Sequence, residues 1–334
     1  MNKLLLGCFC SSLMWGSLPA MAADNGEIPR TPDGKPDLQG IWSNATQTPL
    51  QRPEEFGTQA ELTDEEAAAL EASWRAVIED RALPSEPTRA APDEGESVGG
   101  YNNFWVDRGT DVIEIDGQYR TSIVVDPANG QIPYAENWEG KDFRSQLRAM
   151  PGVEAYDGPE LRPVGERCLL SFGSSSGPPM MPVMYNNNYQ IVQTPDHVMI
   201  LVEMVHDARI IRIDDEHHTD YAKWMGDSVG RWEGDTLVVE TVGLHPYQSR
   251  WGFTENVKVT ETFEALNDNK ILYRFTVDDP EVYARPWSGE IAMNRRPAGD
   301  RMYEYACHEG NYAFPGILGG ARRLEAEAAV GGGN

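Results

Sequence analysis

From residue 101 onward the chain is a succession of short β-type segments separated by turn residues, with no helical pattern between them. The segment "DVIEIDGQYRTSIVVD" turns at Asp116 and Gly117, and "GRWEGDTLVVET" turns at residues 233–235. An Asp–Gly pair suits a two-residue hairpin turn because both residues tolerate positive φ. Successive hairpins without helices form an antiparallel meander, which closes into a barrel or a sandwich. The pattern therefore predicts an all-β domain over residues 101–325.

The most informative segment is "HVMILVEMVHDARIIRI", which reads as one long central strand because both of its faces are apolar at the start. Alternation then predicts that the ring of His206 points into the interior, with Glu203, Asp207 and Arg209 on the opposite face. Burial of these groups costs free energy unless they are paired. Two interpretations stay open: a Glu203/Asp207–Arg209 network with a core histidine, or His206 as a general base or ligand-binding group.

One amphipathic helix is predicted in the segment "LTDEEAAALEASWRAVIEDRAL". Thr63 and Glu66 have the spacing of a capping box, in which each side chain bonds the other's backbone N–H. The apolar residues that follow have helical spacing: Leu70, Trp74, Val77 and Ile78. We expect residues 23–100 to form an N-terminal arm and helix outside the β domain, and residues 326–334 to form a flexible tail.

The first 22 residues have the pattern of a secretory signal peptide: a basic residue, an apolar stretch and the small-residue site "AMA". The alternative is a lipoprotein signal at Cys8, but it leaves almost no apolar stretch before that cysteine. The apolar run is too short to span a bilayer, and no later segment is long enough to do so. The predicted location is therefore periplasmic or secreted.

Cleavage of that signal leaves two of the four cysteines, Cys168 and Cys307. An even pair in an oxidising compartment predicts one disulfide, and two buried free thiols are the alternative. The net charge of −25 disfavours nucleic acid and anionic lipid as partners. No glycine-rich phosphate loop lies between a strand and a helix, so no nucleotide cofactor is predicted.

A second cluster of polar residues lies near the C-terminus in "YEYACHEGNYAF". His308 and Glu309 precede Gly310, where the predicted last strand ends, and strand ends at a barrel mouth collect ligand-contacting groups. The predicted disulfide would bring this segment to the polar segment "MYNNNY". The two segments together supply candidate ligand-binding residues, with Arg209 from the long strand: Tyr185, Asn187, Tyr189, Arg209, Asn311 and Tyr312.

Three further patterns carry less weight. "GSSSG" matches a nucleophile elbow centred on Ser175, but the prolines after it exclude the helix that the elbow requires. "DDEHHTD" at residues 214–220 contains potential metal ligands without recognised metal-site spacing. A zinc site made by His206, His308 and Glu309 has suitable ligand types on distant strands. A divalent metal therefore stays an alternative to a site without any cofactor.

Two resemblances support this fold. The sequence Gly40, Ile41, Trp42 at the start of a β-meander resembles the first strand of lipocalin-like barrels. Four longer motifs resemble a family of secreted bacterial proteins of unassigned function: "TPDGKPDLQGIW", "YNNNYQIVQTPDHVMILVEMVHDARII", "WMGDSVGRWEGDTLVVET" and "YEYACHEGNY". The second resemblance implies export and a shared fold, and it assigns no catalytic residue.

The sequence therefore predicts a lipocalin-like barrel that handles a small apolar or aromatic molecule. The leading hypothesis is an exported acid–base enzyme of isomerase, lyase or hydrolase type. Its predicted catalytic residues are His206, Asp207, His308 and Glu309. The alternative is a non-catalytic periplasmic carrier, and a structural protein with a filled core is the third. Convergence of two ionisable groups inside a cavity distinguishes the enzyme from the carrier.

Overall fold

The computed structural model describes residues 28–83, 88, 90, 106–171, 177–215, 218–248 and 252–331. The predicted signal peptide, most of residues 84–105 and Ser175 lie outside the described residues.

Most described strands belong to one sheet that closes into a nine-stranded barrel. The barrel strands are β1 (Gly40–Ser43), β6 (Asn188–Gln193), β7 (His197–Val202), β8 (Ala208–Ile213), β9 (Asp227–Glu233), β10 (Thr236–Val242), β11 (Lys258–Asn267), β12 (Lys270–Asp278) and β13 (Trp287–Arg295). A tenth strand, β5 (Val124–Asp126), pairs with β13. A separate small sheet contains β2 (Glu61–Leu62), β3 (Glu114–Ile115) and β4 (Gln118–Arg120).

The barrel closes at β1, which pairs with β6 on one side and with β13 on the other. From β6 to β13 each strand pairs with the next along the chain, so the predicted all-β meander and lipocalin-like barrel are confirmed. The hairpins β3–β4 and β9–β10 turn where the sequence predicts, and β6–β7 and β11–β12 are two further hairpins. One pair departs from the meander: β8 and β9 are parallel. The connection between them is therefore longer than a hairpin turn.

The prediction of one long strand through residues 197–213 is wrong. The chain turns between β7 and β8, and Leu201 lies opposite Ala208 in an antiparallel pair. Val205 and His206 adopt left-handed backbone conformations with φ of 63° and 46° in this turn. Such a conformation is an outlier for a β-branched residue. His206 is therefore exposed at a turn and does not point into the interior.

Within the described residues, four α-helices lie outside the barrel: α1 (Asp64–Ala82), α2 (Phe143–Arg148), α3 (Cys307–Gly310) and α4 (Ala313–Gly331). The predicted capping box of α1 is present, with Thr63 Oγ1 accepting from the N–H of Glu66 at 3.2 Å and Glu66 Oε2 accepting from the N–H of Thr63 at 2.8 Å. The apolar face of α1 is only partly buried against the rest of the protein, since Ile78 is 45% exposed. No described helix is both long enough and apolar enough to cross a membrane.

The C-terminal region differs from its predicted form. No strand follows the turn near Gly299 within the described residues, and the chain forms α3 and α4 instead. The predicted boundary at residue 325 falls inside α4. Likewise β1 lies in the predicted N-terminal arm and contributes a barrel strand, so the barrel draws on both predicted segments.

Large side chains fill the interior of the barrel. Tyr273, Phe275 and Trp287 are almost fully buried, and the ring centroids of Phe275 and Trp287 lie 5.6 Å apart in an edge-to-face contact. Edge-to-face packing places the positive ring edge of one aromatic on the negative face of the other. At the end where β1 finishes and β6 begins, which we call the mouth end, chain segments outside the strands cover this interior.

The close packing depends on a glycine in β13. Gly289 lies opposite Phe275, and a Cβ at this glycine would meet the Phe275 ring and the carbonyl oxygen of Ile123 at 3.0 Å. We predict that Gly289→Ala lowers the free energy of unfolding by about 1–3 kcal/mol, because overpacking forces the ring from its position. Chemical denaturation measures the change.

The matched control is Gly320→Ala in α4, where no heavy atom lies within 4 Å of the added methyl group. That variant should be unchanged or slightly more stable because alanine favours the helix. Equal effects of the two substitutions would contradict the prediction.

Candidate ligand-binding site

The barrel interior contains a buried ion pair between β8 and β11. The Nη1 of Arg209 lies 2.7 Å from Glu261 Oε2, and its Nη2 lies 3.0 Å from Glu261 Oε1. The two side chains are 2% and 0% exposed. Two parallel N–H···O bonds of this kind fix both the distance and the orientation of the partners. The pair therefore joins opposite parts of the barrel wall.

Hydrogen bonds extend from this pair to the mouth end. The hydroxyl of Tyr273 donates to Glu261 Oε1 at 2.7 Å and accepts from the backbone N–H of Met180 at 2.9 Å. Asn44 Nδ2 donates to the carbonyl of Met180 at 3.2 Å and to the Tyr189 hydroxyl at 3.3 Å. Residues 177–181 are all buried. These bonds connect the segment before β6 to the chain that follows β1. We call the bonded side chains the buried cluster: Asn44, Tyr189, Arg209, Glu261 and Tyr273.

The electrostatics of the cluster follow from its burial. Burial alone lowers the pKa of Arg209, but the adjacent Glu261 carboxylate outweighs it and leaves the guanidinium charged. Burial also raises the pKa of Tyr273 well above its usual value, and the Glu261 charge adds to the effect. Tyr273 is therefore a neutral hydrogen-bond donor.

This geometry revises the roles predicted for two residues. Arg209 pairs with Glu261 rather than with Glu203 or Asp207. Tyr189 is fully buried, and its hydroxyl bonds Asn44 in the same cluster. Among the described atoms, Asn44 Oδ1 and Arg209 Nε have no hydrogen-bond partner. Arg209 and Tyr189, which were predicted to bind a ligand, therefore belong to the packed interior beneath the mouth end.

A cleft of about 510 Å³ lies at the mouth end, and we call it the mouth cleft. One wall is the chain that follows β1, at residues 46–48 and Leu50. The other wall is the chain that approaches β6, at residues 181–184. Trp74 of α1, Arg108 and the core residue Ile123 also line the cleft. The mouth cleft therefore lies over the barrel core and between chain segments rather than inside the ring of strands.

A turn at residues 107–109 bridges the two walls. Asn187, predicted as a ligand-binding residue, donates through Nδ2 to the carbonyls of Asp107 at 2.7 Å and Val183 at 3.0 Å. Gln47 Nε2 donates to the carbonyl of Gly109 at 2.6 Å. Gly109 has φ of 73°, and a Cβ there would lie 3.0 Å from the Ala45 carbonyl group. Asn187 thus positions the cleft walls, and only glycine fits the turn.

The turn between β7 and β8 contacts the C-terminal segment. His206 Nδ1 donates to the carbonyl of Tyr305 at 3.0 Å. Glu203 Oε1 accepts from Asn186 Nδ2 at 2.6 Å, and its Oε2 accepts from Asn188 Nδ2 at 3.2 Å. These bonds hold the turn against the chain that enters β6.

Tyr185 also lies in this contact, beside Tyr305. Burial raises the pKa of Tyr305 to about 12, and Tyr185 adds to the shift. The hydroxyl of Tyr305 is therefore neutral at physiological pH.

The Cys168–Cys307 disulfide predicted from the sequence is present. Beside it, Asn311 Nδ2 donates to the carbonyl of Glu166 at 2.7 Å. Asn311 therefore supports the same connection between the segment before β6 and the C-terminus.

The remaining predicted site residues do not converge. His308, Glu309 and Tyr312 are exposed, and Tyr312 is 85% exposed. Asp207 is half-buried at the end of the β7–β8 turn. Among the described residues, no hydrogen bond joins His206 to His308 or Glu309. The assignment of these residues to a site stays a prediction.

No group of three or more His, Cys, Asp or Glu side chains within the described part of the chain has a geometry that could hold a metal ion. The motif at residues 214–220 lies partly outside that part, since Glu216 and His217 are not described. His218 Nδ1 lies 3.2 Å from Asp227 Oδ2, which also accepts from Arg212 at 3.0 Å. The described residues of this motif therefore belong to an ion-pair cluster.

The topology defines the protein as a lipocalin-like all-β barrel. No protein-family model matches the sequence, and the search of curated proteins found no match. Among solved structures the chain is similar to a secretary abundant heat soluble (SAHS) protein from Ramazzottius varieornatus. That match has 13% identity and a TM-score of 0.23, and it covers 33% of this chain and 70% of that chain. A likeness this distant assigns no function.

Sequence reasoning missed several residues of this region. Glu261 carried a usable signal, because alternation along β11 places it on the same face as Val259 and Phe263. No sequence pattern identifies Asn44 or Arg108, since each lies in a loop whose position depends on contacts with distant segments.

We predict that Glu261→Leu lowers the free energy of unfolding by about 3–5 kcal/mol, because it leaves the Arg209 charge buried without its partner. The double variant Arg209→Met/Glu261→Leu should recover most of this loss, since no unpaired charge remains. Urea denaturation of the single and double variants measures both effects.

Glu233→Gln is the control, because Glu233 pairs with Arg231 at the surface and exposed pairs contribute little. A single variant no less stable than the double variant would show that the buried charge is not the cause.

Proposed function

We propose that the protein is an exported, non-catalytic carrier that binds a small apolar or aromatic molecule in the mouth cleft. The observation that supports this most directly is the cleft itself. Its volume of about 510 Å³ is within the range of roughly 300–1,000 Å³ that is usual for small-molecule sites. It rests on two core residues, Ile123 and Met181.

The lining suits a ligand with an apolar body. Trp74 is half-buried and offers a ring surface, while Met181 and Met184 offer flexible, polarizable side chains. Met184 is 42% exposed although it is apolar. Thr46 and Gln47 supply polar groups at one side. A few polar groups in a mostly apolar lining are typical of sites that orient a small molecule.

The composition of the lining also favours carriage over catalysis. None of the described residues that line the cleft is a histidine or a carboxylate. Acid–base catalysis requires a group that can exchange protons near neutral pH and that lies within hydrogen-bond reach of the substrate. The acid–base enzyme, with His206, Asp207, His308 and Glu309 as catalytic residues, is therefore the second hypothesis.

Export to the periplasm or the medium is part of the proposal. It is supported by the disulfide, since disulfides persist in oxidising compartments. The pattern of residues 1–22 and the resemblance to secreted bacterial proteins point to the same location.

We predict that the neutral fluorescent probe N-phenyl-1-naphthylamine binds the protein and that Trp74→Ala weakens this binding about tenfold, because the variant removes an aromatic wall of the cleft. Fluorescence titration measures the Kd. Ile78→Ala is the matched control, since Ile78 lies on the same helix but does not line the cleft. The proposal fails if the probe does not bind, or if both variants weaken binding equally.

The two hypotheses differ for His206→Ala. For a carrier, we expect the probe Kd to change by less than twofold. The free energy of unfolding should fall by at most about 1 kcal/mol, since one exposed hydrogen bond is lost. Thermal denaturation and probe titration on the same preparation measure both quantities. A well-folded variant that no longer handles the ligand would favour the acid–base enzyme instead.

A further inference from the structure

Arg108 has a distinctive place in the mouth cleft. Of the described residues that line the cleft, it is the only one with a charged side chain. It lies in a chain whose net charge is −25. The cleft thus presents one cation within an otherwise neutral lining on an acidic protein.

The charge of Arg108 is not neutralised within the described structure. It forms no ion pair or hydrogen bond with a described residue, although acidic residues lie nearby in sequence. The carboxylate of Asp107 accepts from the backbone N–H of Gly109 at 3.2 Å. The carboxylate of Asp111 pairs with Arg75 at 3.0 Å. Both neighbouring carboxylates therefore have other partners. The N–H donors of the Arg108 guanidinium bond to no described residue and can bond to a ligand.

The backbone of Arg108 is held between the walls of the cleft. On one side, the N–H of Asp107 donates to the carbonyl of Met184 at 3.0 Å. On the other side, Gln47 donates from its backbone to the carbonyl of Asp111 at 2.9 Å and from its side chain to that of Gly109. Recognition groups on a fixed backbone lose less conformational entropy when a ligand binds.

We propose that the ligand of the mouth cleft is an amphipathic organic anion, with its apolar or aromatic body against Trp74 and Met184 and its carboxylate or sulfonate on Arg108. This inference rests on the proposed function and names the chemical class of its ligand. Guanidinium binds such oxyanions through two parallel N–H···O bonds. An acidic surface repels anions in general, so an unpaired cation in a neutral cleft marks where one can bind.

The test compares two probes that share one apolar body. 1-Anilinonaphthalene-8-sulfonate carries a sulfonate, and N-phenyl-1-naphthylamine lacks it. Each is titrated against the full-length mature protein, Arg108→Gln and Arg108→Lys at low ionic strength, where charge contacts are least screened. Arg231→Gln is the control, because it removes the same charge from an exposed pair outside the mouth cleft.

We expect Arg108→Gln to weaken binding of the sulfonate probe about tenfold and to change the neutral probe less than twofold. Arg108→Lys should weaken the sulfonate probe less than Arg108→Gln does, because the charge remains while the two parallel bonds are lost. Arg231→Gln should leave both probes unchanged within twofold. Circular dichroism confirms that each variant is folded, as expected for an exposed side chain.

Three results would overturn the inference. If Arg108→Gln leaves the sulfonate affinity unchanged while the neutral probe still binds, the ligand class is wrong and the proposed carrier stands. If both probes weaken equally, Arg108 acts on the shape of the cleft rather than through its charge. If neither probe binds the unaltered protein, the proposed function fails and the inference fails with it.

Discussion

The buried pair of Arg209 and Glu261 is the interaction on which the mouth end depends. Two charges without solvent are costly unless every hydrogen bond around them is made. Here the Tyr273 hydroxyl donates a further hydrogen bond to Glu261, and the same hydroxyl accepts from the backbone N–H of Met180. The need to satisfy one ion pair thus determines where the segment before β6 lies. That segment forms a wall of the mouth cleft, so the buried ion pair helps to position the cleft.

The parts of the fold that were predictable have local signals. Asp116 with Gly117 marks a hairpin because those two residue types accept the backbone of a tight turn. Thr63 and Glu66 mark a helix start because their bonds involve only four consecutive residues. The disulfide followed from counting, since only Cys168 and Cys307 remain after the predicted cleavage. Each of these features is determined within a few residues or by a single pairing.

The parts that escaped prediction depend on contacts between distant segments. The turn between β7 and β8 contains no glycine, and Val205 has a left-handed conformation that its sequence disfavours. Bonds from Asn186 and Asn188 to Glu203 and from His206 to Tyr305 hold that turn in place. Alternation counted through such a turn assigns later residues to the wrong faces. The error over Arg209, and over the orientation of His206, follows from this single turn.

The filled interior explains why a binding surface would lie at the mouth end. A nine-stranded barrel is wide enough to hold a small ligand, but rings such as Tyr273 and Trp287 and the Arg209–Glu261 cluster already occupy the space. A ligand inside the ring of strands would have to displace these packed rings or break the bonds between Arg209 and Glu261. The mouth cleft imposes no such cost, because its walls are chain segments that meet solvent while resting on the core. Loops can also differ in composition without disturbing the strands. Under the proposed carrier function, the barrel is a rigid base, and the segments after β1 and before β6 supply the groups that contact the ligand.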